Sequence, residues 1–276
     1  MAPALLFVAV FVVYPLVQLV VTSLTDRSLL GGGRFVGFDN YQRIWRDAGF
    51  WRALKFTGQY TLILTPILMV LGYALALLTV ENTRLKKATR TVVFLPVVIG
   101  LSSSSLFWFW LLDPEVGLID KALVDLHILN EPGEWFVTAD LAFWAVVISI
   151  TWKVVGFGMV LFVTGIQAID ANILEASTRR GLLAPSAFHR AALTRRVLLL
   201  TTLVSAVGSM LAFDQFYIMT SGGPRGQTFT AVYSIYQNSF VSFKLGYGAA
   251  LSVTLMLVIL VFSALQIVLT ARSVAR

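Results

Sequence analysis

The stretch LAFWAVVISITWKVVGFGMVLFVTGI, Leu141 to Ile166, carries a single charge, Lys153, in a run of apolar and small residues. A bilayer core of about 30 Å is crossed by about 20 apolar residues in a helix, and this run is long enough. Apart from Lys153 the run offers no polar face to water, so it reads as a membrane span rather than an amphipathic surface helix. Working outward, five more segments pass the same test: 2–24, 57–80, 91–112, 197–220 and 245–270. Of the six, only 141–166 and 197–220 contain a charge, Lys153 and Asp214. In hydrocarbon every backbone polar group must be satisfied inside the segment, so helices are the expected solution. The expected fold class is an all-α polytopic membrane protein with six transmembrane helices, occupying residues 1–276 as one domain.

Composition agrees with this reading. Of 276 residues, 58% are hydrophobic and 13% charged, and the mean hydropathy is +0.82. Soluble domains carry about 25% charged residues. The chain has no cysteine, which excludes disulfides, thiolate metal sites and a cysteine nucleophile. The net charge of +7 is assigned to membrane topology and not to nucleic acid, because the bases collect in short loops. Arg84, Lys86, Lys87, Arg90, Arg179, Arg180, Arg190, Arg195, Arg196, Arg272 and Arg276 face only Glu81, Asp170 and Glu175 on one side. The opposite loops set nine bases against ten acids. Both termini are therefore expected in the cytoplasm. The segment from Asp26 to Lys55, with six bases, runs against that assignment. The first span is read as a retained helix, not a signal peptide. After Gly117, Ile119, Ala122, Leu123 and Leu126 recur at helical spacing, which predicts a short amphipathic helix.

An enzyme is not indicated. No phosphate-binding GxxxxGK is present, and Gly31-Gly32-Gly33 has no lysine after it. His127 and His189 are the only histidines and fall on opposite sides of the expected topology, so no catalytic or metal-binding set is expected.

The loop 167–196 is too long for a simple connector. Asp170 can cap a helix from Ala171, Gly181 can end it, and Pro185 can open a second. Within it stand Glu175-Ala176-Ser177, Gly181 and Phe188, preceded by Ile166-Gln167-Ala168-Ile169. This pattern resembles the coupling loop of permease subunits of binding-protein-dependent ABC importers. Downstream, Phe213-Asp214-Gln215-Phe216-Tyr217 and Ser221-Gly222-Gly223-Pro224 resemble the fifth core helix of carbohydrate-type permeases. Phe94-Leu95-Pro96, Asp113-Pro114, Trp152-Lys153 and Gly246-Tyr247-Gly248-Ala249-Ala250 extend the similarity over nearly the whole chain, closest to the maltose and glycerol-3-phosphate type. Two positions depart from the family. Arg180 stands where Asp usually precedes the loop glycine, and Thr194 where Pro usually begins the fifth span.

The resemblance implies a type I ABC importer permease fold in a bacterial or archaeal cytoplasmic membrane, surrounded by lipid. Its expected partners are a second homologous permease, two ATPase subunits and an extracytoplasmic solute-binding protein, with ATP and Mg bound by the ATPases and no cofactor on this chain. Glu175, Ala176, Ser177, Arg180, Gly181 and Phe188 would form the ATPase contact. Lys153 and Asp214, which could pair, line a polar cavity, cap backbone groups or fix helix packing, are candidates for the translocation path or its gating, with Phe213, Gln215, Trp108 and Trp110. The small residues from Gly246 to Ser252 are read as a packing face, with the partner permease as one possible neighbour. The rival reading is an ion-coupled secondary transporter, which would be expected to show internal repeats and its own ion-coupling residues. Neither is visible.

Overall fold

A computed structural model of the chain describes residues 2–168 and 195–274, and among these residues the regular structure is helical. Among the described residues, four helices are long and apolar enough to cross a membrane: α1 (Pro3–Ser23), α3 (Ala48–Thr79), α7 (Ala139–Gln167) and α10 (Leu245–Val274). Between them lie α2 (Asp39–Arg46), α4 (Arg84–Val98), α5 (Leu101–Leu111), α6 (Leu118–Asp125), α8 (Arg195–Met210) and α9 (Ala231–Tyr236). A π-helical turn at Ala9–Val13 interrupts α1, just where Pro15 has no N–H to return to the preceding turn.

Two expected spans differ in shape. Segment 91–112 is two helices, α4 and α5, bent by 99°. Pro96 removes one helical hydrogen bond, and the chain turns extended at Ile99 and Gly100. Segment 197–220 is helical only to Met210, leaves the helix over Leu211 to Phe213, and resumes to end in a π-helical turn, Phe216–Thr220. Four spans, or five if the bent pair counts as one, meet the length criterion among the described residues, where six were expected. The second span also begins earlier than its hydropathy, at Ala48 instead of 57, because Arg52 and Lys55 sit on its first turns.

The residues divide into two compact units. The first contains Met1–Thr57 and Phe229–Leu265, with a core of Ile44, Phe50, Ala231, Tyr247, Ala250, Leu251 and Leu255. Asp47 organises it. Its carboxylate accepts the N–H groups of Gly49 and Phe50, capping α3, and the Tyr247 hydroxyl at 2.6 Å. Burial works to raise the Asp47 pKa, but these hydrogen bonds and nearby Arg43 outweigh it and hold the carboxyl below its ordinary value. Gly246 donates to Arg27 O at 2.9 Å. A Cβ built on Gly246 would fall inside the Thr25 carbonyl oxygen, and one on Gly248 inside Ser239 Oγ. The small residues opening α10 thus serve close packing within this unit.

Because the obstacle at Gly246 is backbone, it cannot turn aside. Gly246→Val is expected to destabilise the protein by about 3 kcal/mol, at the upper end of overpacking costs. Thermal melting of the purified chain checks this, with Gly58→Val, where nothing lies within 4 Å, as the control. Equal melting of the two variants would rule the packing role out.

The second unit contains Gly58–Thr228 and Gln266–Arg276. Its core gathers Ala76, Met159, Phe162, Val163 and Ile166. Helix α7 is the most deeply buried of the spans. A Cβ on its Gly156 would lie 2.9 Å from Phe94 Cα and closer still to Val93 O, so the missing side chain is what seats α7 against α4. Arg90 ties the turn before α4 by donating to the carbonyls of Thr79 (2.7 Å) and Glu81 (2.9 Å).

Candidate functional site

Bending α4 away from α5 strips helical partners from the last carbonyls of α4. Lys153, three residues before Gly156 on the same face of α7, supplies donors there, although Pro96 O also accepts the Ile99 N–H at 3.2 Å. Its ammonium donates to the carbonyls of Pro96 and Val97, each at 3.4 Å, and more closely to that of Ile99. The side chain is buried, and three rotatable N–H donors suit three carbonyls. Of the roles left open by the sequence, Lys153 takes the capping one.

Asp214 is not its partner. The Asp214 carboxylate accepts from Ser102 Oγ at 2.6 Å. Ser102 stands in the first turn of α5, where unpaired N–H groups favour a negative charge. The break in one span is thereby joined to the bend in another: Lys153 holds the end of α4, Gly100 opens α5, and Ser102 holds Asp214 as the chain re-enters its helix.

Non-helical backbone at membrane depth is tolerated where it lines a cavity or is covered by protein. Here a cavity of about 230 Å³ lies beside the break. Phe213, Asp214 and Gln215 form one wall. Ile150, Val154 and Phe157 of α7, Tyr60 and Leu64 of α3, and Ser205 and Ser209 of α8 form the others. Gln215 is buried and donates to the Tyr60 hydroxyl at 3.3 Å. The Tyr60 ring, fully buried, meets Phe216 edge-on at 5.0 Å. The lining is apolar with a few fixed polar groups, the composition of a small-molecule site, though below the roughly 300–1,000 Å³ of complete ones.

Three of the six candidate path residues therefore come together: Phe213, Asp214 and Gln215. Lys153, Trp108 and Trp110 lie apart from the cavity. The Trp108 ring packs on Trp152 at 5.8 Å, and Trp110 is exposed. Tyr60, Ser205 and Ser209 were not singled out in the sequence. The readable signal was the i, i+4 pair of serines in the apolar second half of α8. Glu175, Ala176, Ser177, Arg180, Gly181 and Phe188 lie outside the described residues.

No family model matches the chain. Curated relatives do. The lactose transport system permease protein LacF of Rhizobium radiobacter is 32% identical over 277 residues, covering 96% of this chain and 90% of that protein. The sulfoquinovosyl glycerol transport system permease protein SmoG of Agrobacterium fabrum is 30% identical over 259 residues, 92% and 83% of the two chains. Among solved structures, a chain of a bacterial alginate ABC transporter, crystallised with its alginate pentasaccharide-bound periplasmic protein, superposes with a TM-score of 0.80 over 98% of this chain and 92% of that one. At 17% identity that likeness concerns the fold.

Proposed function

We infer the role of this chain from the premise that it belongs to the permease subunits of ABC importers for sugars: it forms, with a second homologous permease, the path by which a sugar or sugar-like solute crosses the membrane. Such subunits are transport channels and not enzymes. The observation that carries the reading is the broken span, which sets Phe213, Asp214 and Gln215 beside a cavity within the helices. Its size, below that of a complete ligand site, fits a share contributed by one of two permeases. Aromatic faces such as Phe213 and Phe157 suit the apolar side of a sugar ring, while Asp214, Gln215 and the serines suit its hydroxyls.

The solute arrives on an extracytoplasmic binding protein. Two separate ATPase subunits bind ATP and Mg and close on each other, and the loop 167–196 passes that rigid-body motion to the helices. Both termini then lie in the cytoplasm of a bacterial or archaeal cell, as the loop charges favour. On this side Arg90 and the pair Lys86–Glu81 (2.8 Å) brace the other cytoplasmic turn.

Reconstitution in vesicles tests this. Uptake of a sugar from a panel should require ATP, the ATPase subunits and the binding protein, and should survive an ionophore. The chain purified alone should hydrolyse no ATP. Uptake driven by an ion gradient without the ATPase would establish the secondary-transporter alternative instead.

A further inference from the structure

The permease reading makes no use of the basic run from Asp26 to Lys55, with six bases and three acids. Two acids are occupied. Asp26 lies 3.9 Å from Arg34, and Asp47 is taken by Tyr247, Gly49 and Phe50. Arg43 in turn lies over the Tyr247 ring at 4.3 Å. Asp39 stands at the far end of α2 from Arg46, about 10 Å along the axis. Arg46, Arg52 and Lys55 are exposed and form no ion pair among the described residues.

These three cations surround two tryptophans. Trp51 and Lys55 share a face of α3 at i, i+4 spacing, and Arg52 adjoins them. The Trp51 indole N–H donates to Ile44 O at 3.0 Å, which fixes the ring against the end of α2. The Trp45 ring sits 5.7 Å from it, next to Arg46. Trp45 is 77% exposed. A rigid pair of indoles left open at the head of a membrane-spanning helix is placed as interfacial aromatics are, with apolar rings toward acyl chains and polar edges toward headgroups. Long basic side chains beside them reach the phosphate level.

We propose that Trp45 and Trp51, with Arg46, Arg52 and Lys55, form a binding site for the headgroups of anionic phospholipids. Charge complementarity selects them over zwitterionic lipids, since the patch holds three cations outside any ion pair among the described residues, and its one carboxylate, Asp47, is engaged by Tyr247, Gly49 and Phe50. One cation near a membrane surface corresponds to about a fivefold preference, so the three together should exceed that. The site rests on α3 being a membrane span.

The test uses the full chain in its complex, reconstituted in phosphatidylcholine vesicles with a small, equal fraction of brominated phosphatidylglycerol or brominated phosphatidylcholine. Bromine quenches tryptophan on contact, and the difference between wild type and W45F/W51F isolates these two of the seven tryptophans. Quenching of the pair should be at least about fivefold stronger with brominated phosphatidylglycerol. R46Q/R52Q/K55Q should equalise the two lipids while retaining the quenching by phosphatidylcholine. Equal quenching in wild type, or a preference untouched in the triple variant, overturns the headgroup site and leaves the span intact. Absence of quenching by either lipid overturns both.

Discussion

Lys153→Met is expected to lower the stability of the permease by about 3 kcal/mol or more, and to lower uptake with it. Methionine keeps the length and the apolar stem of lysine but donates nothing. The carbonyls of Pro96, Val97 and Ile99 would then be left without their shared donor. A hydrogen bond to a charged group contributes roughly 1.5–3 kcal/mol, and a buried acceptor left unmet carries its own penalty. Water, which could meet the carbonyls in a soluble protein, is absent from a hydrocarbon core. The loss corresponds to a fall in melting temperature of about 10 °C for a chain of this size. Lys153→Arg should retain part of the effect, since guanidinium donors remain, though in a planar arrangement unlike the three-fold ammonium. Uptake should fall because the bend positions Ser102, and Ser102 holds Asp214 at the cavity. A Lys153→Met permease that melts like wild type would show that the bend is held by packing alone, for instance by Gly156 on Val93 and Phe94.

The same residue shows where sequence reading reached and where it stopped. Hydropathy averaged over a span length finds Leu141 to Ile166 without difficulty, and the structure gives Ala139–Gln167. The helix after Gly117 was legible too, from the spacing of four apolar residues, and is seen as Leu118–Asp125. Breaks are invisible to such averaging, because Ile99-Gly100 and Leu211 to Phe213 are as apolar as the helices they interrupt. Pro96 and Gly100 were the local signals of the first break. For the second we find no comparable breaker, and polar partners brought from distant helices, Ser102 and Tyr60, are what the sequence could not join to Asp214 and Gln215. Lys153 was recognisable as a buried charge needing a partner, but an acid at a distant position looked as plausible as a set of carbonyls. Only the bend creates those carbonyls. The glycines opening α10 were legible as a packing face, and Thr25 and Ser239 of the same chain are what they pack on.

Glu175→Ala is expected to weaken docking of the ATPase subunits by about tenfold or more, with uptake falling in step. The reading rests on the spacing of Glu175-Ala176-Ser177, Gly181 and Phe188 between two spans. A carboxylate at such a contact has to meet a basic or hydrogen-bonding group on its partner. Hydrogen bonds to charged groups contribute roughly 1.5–3 kcal/mol, and each 1.4 kcal/mol is a factor of ten in affinity. Insertion of the spans should be unchanged, because their hydrophobicity does not involve this loop. Gly181→Val should reduce uptake by another route, since a β-branched residue resists the positive φ that a helix-ending glycine supplies. Glu175→Arg combined with an acidic residue on the ATPase should recover part of the coupling if the two groups form a direct ion pair. Co-purification and ATP-dependent uptake measure both effects. Wild-type assembly and uptake in Glu175→Ala would mean that this glutamate is a solvated helix residue, and the coupling contact would have to be sought elsewhere in the loop 167–196.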